Sequence, residues 1–99
     1  MRKVVIPSAG GYERLLLQEH PDPTPAPGEL LIDVDAIGVN YADCVVRMGF
    51  YRSAQVFVGW PITPGFEFAG RVASAGDPAL PLGTAVLGVT RFGAYATRL

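Results

Sequence analysis

Histidine and cysteine are almost missing from this 99-residue chain, which has one of each, His20 and Cys44. One cysteine excludes a disulfide framework and cannot build a structural zinc site, and His20 has no other metal ligand near it in sequence. The expected setting is therefore reducing and cytoplasmic. There is no basic run, and the net charge is −1, which argues against nucleic-acid and anionic-membrane partners. No apolar run reaches the ~18 residues that a bilayer span requires, and the run at Val4–Ile6 is too short for a signal peptide. There is also no Gly-x-Gly-x-x-Gly between a strand and a helix, so the chain lacks a dinucleotide-binding fingerprint. Internal repeats and low-complexity tracts are absent too.

What is present describes a small folded domain. Nearly half the residues are hydrophobic (49%) and only 17% are charged, a balance that suits a packed core rather than disorder. Twelve glycines and nine prolines are spread along the chain, as in proteins made of short strands and turns. Strands are expected over 3–7 and 14–19. The four prolines of 20–28 leave only an extended surface connector there. Over 30–39, Leu30, Ile32, Val34 and Ala36 alternate with Asp33 and Asp35, predicting a half-buried antiparallel strand. Further strands are expected over 66–75, where Gly76-Asp77-Pro78 ends the run, and over 84–89 and 93–98. Residues 40–48 predict one short helix, with Asn40 as N-cap, Asp43 completing a capping box and Gly49 as the left-handed stop. The aromatic-rich stretch 50–60 reads as a loop. Mostly strands, one helix and no βαβ alternation favour a partly open β-barrel.

Residues 61–70, Pro-Ile-Thr-Pro-Gly-Phe-Glu-Phe-Ala-Gly, carry the most chemistry. Pro64 and Gly65 form a turn that feeds a strand, and Glu67 stands between Phe66 and Phe68, where a carboxylate needs a partner or a task. Phe66 and Phe68 are expected to form an apolar wall. Arg47 lies one helical turn after Asp43, which makes an ion pair available. Glycines 65, 70, 83 and 93 read as backbone devices rather than phosphate cradles. Cys44 reads as a small buried apolar residue and His20 as an ordinary surface histidine.

Taken together, Ala-Ile-Gly-Val-Asn-Tyr-Ala-Asp (36–43), Arg47-Met48-Gly49-Phe50-Tyr51, Pro64-Gly65-Phe66-Glu67-Phe68-Ala69-Gly70, Ala75-Gly76, Leu82-Gly83-Thr84-Ala85-Val86 and Phe92-Gly93-Ala94-Tyr95-Ala96 resemble a known family. It is the N-terminal, GroES-like catalytic domain of the medium-chain dehydrogenase/reductase superfamily. Within it, the pattern is most similar to the zinc-free quinone oxidoreductase branch, which includes zeta-crystallin and the vesicle-amine-transport-protein-1-like proteins. The resemblance covers essentially residues 1–99, read as one alcohol-dehydrogenase-type N-terminal domain that is a fragment lacking its Rossmann half.

The resemblance implies a division of roles. Zinc-dependent relatives carry cysteine where this chain has Asn40 and histidine where it has Phe66, so no metal site is expected. Hydride would pass from NADPH to a quinone or an α,β-unsaturated carbonyl. Asn40 and Tyr41 are the implied catalytic residues, with Asn40 beside the nicotinamide as well. Tyr51 and Phe66 would line the substrate cleft, and Asp43, Arg47 and Glu67 would support the framework. Many quinone reductases carry a tyrosine where this chain has Val45, which weakens any role for a phenol there. The full-length parent is expected to be a cytoplasmic homodimer acting on a small molecule, with no nucleic-acid partner and no membrane span, and the isolated chain is expected to be inactive. Two alternatives carry different expectations: an enoyl-reductase module of a polyketide or fatty-acid synthase, and a non-enzymatic GroES-like scaffold barrel.

Overall fold

A computed structural model describes residues 1–74 and 79–99. The Ala75-Gly76 motif, the end of the 66–75 strand and the Gly76-Asp77-Pro78 stop lie outside the described residues.

The fold is mostly β, in two open sheets. Strand β1 (Arg2–Val5) pairs antiparallel with β2 (Leu16–Glu19), in register from Arg2↔Glu19 to Val5↔Leu16. A 3₁₀ turn over Tyr12–Arg14 occupies the expected start of the second strand. The second sheet has the order β3 (Ile32–Ile37), β4 (Glu67–Val72), β5 (Ala85–Val89), antiparallel throughout. Residues 20–31 contain no helix or strand, as their prolines require. The last segment, expected as a strand over 93–98, forms isolated bridges that join the two sheets. Val4 donates to the Tyr95 carbonyl (2.9 Å) and Thr97 to that of Arg2 (2.8 Å) on one side, while Val34 donates to Thr97 (2.9 Å) on the other.

Strand β3 keeps the expected alternation only in its first half. Ile32 is buried and Val34 half-buried, but Ala36 and Ile37 are exposed. The cause is a bulge: Val34 pairs with Gly70 and Ala36 with Ala69, so Asp35 has no opposite residue and the later side chains change face. Opposite the bulge, Gly70 is required by close approach. A Cβ there would collide with the backbone oxygen of Asp33.

Helix α1 (Tyr41–Met48) forms where expected. Its buried face is Asp43, Val46 and Arg47, the i, i+3, i+4 spacing of one helical stripe. It ends in a Schellman motif: Gly49 has φ 86°, its N–H reaches the Val46 carbonyl (3.0 Å), and the Phe50 N–H reaches that of Val45 (3.0 Å). A second helix, α2 (Arg52–Phe57), replaces the loop expected over 50–60. It starts at Tyr51, which is not a capping residue, and buries only Ala54, so neither a start signal nor an apolar stripe marks it. The core lies beside the helices rather than between the sheets. Ile6, Val46, Ala54, Ile62 and Phe92 are buried together, with Tyr51, Trp60 and Phe66 packed against them.

Candidate functional site

The start of β4, the end of β5 and the first residues of both helices converge on one open cleft of about 360 Å³. Asn40, the N-cap of α1, contributes an amide, and Tyr51, just before α2, contributes a ring. Phe66 and Glu67 enter from the start of β4, and Val89 and Thr90 from the end of β5. Three of the expected site residues, Asn40, Tyr51 and Phe66, therefore meet at one place, with Glu67 beside them.

Two of the lining residues, Tyr51 and Phe66, belong to an aromatic cluster backed by the buried Phe92. Phe66 and Tyr51 have ring centroids 5.6 Å apart, Phe66 and Phe92 5.3 Å, and Tyr51 and Phe92 5.9 Å in an edge-to-face arrangement. These spacings fall in the range of favourable aromatic contacts. Phe92 anchors the set. It is 5% exposed and holds φ at 65°, the only non-glycine left-handed residue among those described. Its carbonyl accepts the Thr90 hydroxyl (2.9 Å), which fixes the turn on which Thr90 reaches the cleft. Phe68 does not extend this wall, because its ring lies over Gly88 in a neighbouring groove.

Tyr41 is placed away from this site. It is 78% exposed and does not line the cleft. Successive helical residues point about 100° apart, so a cap residue facing the cleft carries its neighbour away from it. Glu67 is exposed and is in no ion pair among the described residues, so the charge between two phenylalanines is solvated rather than partnered. Strand alternation explains this, since Glu67 takes the opposite side of the pleat from both neighbours.

Asp43 and Arg47 are both buried on α1, but they do not pair with each other. Asp43 is buried, and its Oδ2 accepts from the Asn40 N–H (2.9 Å) and the Tyr95 hydroxyl (2.8 Å). Its Oδ1 is buried without a hydrogen-bond partner. Burial first, and then the bond to Asp43, raises the Tyr95 hydroxyl well above the ordinary tyrosine range. Arg47 turns the other way: its guanidinium donates to the Gly10 carbonyl and lies 4.8 Å from the Tyr12 ring centre. The ion pair expected between them does not form, because Asp43 is engaged by the last segment and Arg47 by the β1–β2 connection. Cys44 is only half-buried, and the His20 ring sits 2.9 Å from the Gln18 side-chain oxygen.

Sequence reasoning missed Phe92, Thr90 and Tyr95 as members or supports of the site. The signal available for Phe92 and Tyr95 was their place in Phe-Gly-Ala-Tyr-Ala, directly after a strand. For Thr90 there was none.

Comparison with known proteins fixes the family. The alcohol dehydrogenase GroES-like domain matches residues 26–97. The synaptic vesicle membrane protein VAT-1 homolog of Mus musculus is 39% identical over 79 residues, covering 78% of this chain and 19% of that protein. A probable quinone oxidoreductase of Schizosaccharomyces pombe is 40% identical over 77 residues, covering 75% of this chain and 22% of that protein. The crystal structure of the human VAT-1 homolog-like protein superposes with a TM-score of 0.91 at 35% identity, over 100% of this chain and 32% of that one. Escherichia coli quinone oxidoreductase complexed with NADPH gives 0.88 at 27% identity, over 100% and 30%. The chain thus spans about a fifth of the length of the curated relatives it matches. With its fold and these likenesses in agreement, the chain belongs to the alcohol dehydrogenase GroES-like domain family, on the quinone oxidoreductase branch of the medium-chain dehydrogenases/reductases.

Proposed function

We propose that this chain is the catalytic-domain portion of a zinc-independent, NADPH-dependent oxidoreductase that reduces quinones or α,β-unsaturated carbonyls. The observation that carries the reading is the cleft itself, lined by the Tyr51 and Phe66 rings, which Phe92 backs, with Asn40 at its edge. A flat, electron-poor ring fits such a lining by stacking. The similarity to Escherichia coli quinone oxidoreductase, whose structure holds NADPH, supports the choice of cofactor.

The residues present fit one end of that cofactor. The cleft lining holds no cation and one carboxylate, Glu67, so it suits a neutral ring and not a pyrophosphate. The reduced nicotinamide supplies the hydride when bound. The protein's share is then to position, exclude water and hold an oxygen. Tyr51 and Phe66 displace water from the ring faces, and the Asn40 amide can donate a hydrogen bond to a carbonyl or quinone oxygen as negative charge builds there. The same donor set does not suit a catalytic zinc. It offers an amide and a carboxylate with no thiolate or imidazole, where about three strong protein ligands are needed.

The test is turnover by the full-length gene product. NADPH oxidation is expected with a simple quinone or an enone, and treatment with a strong chelator should leave the rate unchanged. Activity that disappears with the metal, or no oxidation with either acceptor class, would overturn the proposal. The 99-residue chain alone is expected to be inactive.

A further inference from the structure

We infer that a second cavity, on the other side of Phe92, binds a small organic monocarboxylate with an apolar tail. At about 390 Å³ it is larger than the cleft and shares no lining residue with it. That volume lies at the lower end of the roughly 300–1,000 Å³ typical of small-molecule sites.

Its chemistry is two-sided. Val5, Ile62 and Phe92 form a floor that is at least nine-tenths buried. Lys3, Arg91 and His20 stand around it with Gln18 and Thr63, and no carboxylate lines it. Neither Lys3 nor Arg91 is in an ion pair among the described residues. Arg91 is held in place by the Phe57 ring, 4.4 Å from its guanidinium carbon. The His20–Gln18 contact at 2.9 Å occupies the Gln18 oxygen and leaves the amide N–H groups of Gln18 available to an acceptor. Two cations without counter-charges over an apolar floor match a ligand that carries its negative charge at one end only. A phosphate would leave the floor uncovered, and a neutral hydrocarbon would leave the cations unanswered. Phe92 walls this cavity and packs against Tyr51 and Phe66, so an occupant here would press on the rings that line the cleft.

The site can be tested by calorimetry on the full-length gene product without NADPH, since every residue of the cavity wall lies within this chain. That protein is titrated with octanoate, with 1-octanol and with inorganic phosphate, following the heat of binding. Octanoate is expected to bind at least about tenfold tighter than either control. The double variant Lys3→Gln/Arg91→Gln should lose about tenfold in octanoate affinity and less than about twofold for octanol. Arg91→Lys keeps the charge and should keep binding, and Arg52→Gln, an exposed cation away from the cavity, should match the unaltered chain. Equal affinity for octanol or phosphate, octanoate binding unchanged in the double variant, or no octanoate binding would each overturn the inference.

Discussion

Replacing Tyr95 by phenylalanine removes one oxygen and isolates one buried charge. In the native chain, Asp43 Oδ2 accepts from the Tyr95 hydroxyl at 2.8 Å and from the Asn40 N–H at 2.9 Å, while Oδ1 has no partner. Asp43 is 6% exposed, so water does not replace the lost donor freely. A hydrogen bond to a charged, buried group contributes about 1.5–3 kcal/mol. We expect Tyr95→Phe to cost about 2 kcal/mol, which for a domain of this size lowers Tm by about 8–16 °C. Thermal unfolding followed by circular dichroism at neutral pH measures it.

The same substitution carries a pH signature. Burial, and then the bond to Asp43, raises the Tyr95 hydroxyl above its ordinary value of 10.0. In the folded chain it therefore stays protonated at a pH where the unfolded chain has already lost that proton. Its contribution is whole below about pH 10 and is lost as pH rises past it. The gap between native and Tyr95→Phe stability should thus narrow above pH 10. In a double-mutant cycle, Tyr95→Phe should cost almost nothing once Asp43 is alanine. A loss below about 0.5 kcal/mol, or an equal loss in the Asp43→Ala background, would refute the reasoning.

Other substitutions separate the remaining roles. Gly70→Ala should cost about 1–3 kcal/mol in urea unfolding, because the new Cβ meets the immovable Asp33 backbone at the bulge. Under the proposed reaction, Asn40→Ala in the full-length gene product should lower kcat about a hundredfold, as loss of one donor to a developing oxyanion does. Tyr41→Phe should stay within about twofold in the same assay, since its ring faces solvent. Glu67→Gln should move stability by less than about 0.5 kcal/mol in the isolated chain, as expected for an exposed carboxylate outside any ion pair.

Where local chemistry decided structure, the sequence was readable. Asn40, Asp43 and Gly49 marked both ends of α1, and four prolines cleared residues 20–28 of helix and strand. Where long-range contact decided it, the sequence was silent. Helix α2 buries only Ala54, which no periodicity could reveal over six residues. The bulge at Asp35 depends on pairing with β4, so the alternation of 30–39 looked unbroken. At the site, motif order brought Asn40, Tyr51 and Phe66 to attention, but it could not separate Tyr41, which faces away, from Asn40, which faces in. The partner of Asp43 was missed for the same reason. Arg47 is four residues away and Tyr95 fifty-two, yet Tyr95 is the residue bonded.

Glu67 shows how far a single position can mislead and inform at once. A carboxylate between two phenylalanines suggests a buried charge only if all three residues point the same way, and a strand forbids that. The phenylalanines instead serve two places: Phe66 packs tilted against the Tyr51 and Phe92 rings, and Phe68 covers Gly88. The consequence for chemistry follows from Phe66. A ring at that position contributes area and dryness but no lone pair, so under the proposed reaction polarisation of the acceptor rests on the Asn40 amide. One neutral donor stabilises an oxyanion far less than a metal ion does. Acceptors that already carry charge well in the reduced form, such as quinones, should therefore be turned over much faster than simple ketones. Comparable rates with both would mean that a stronger electrophile than Asn40 acts at this cleft.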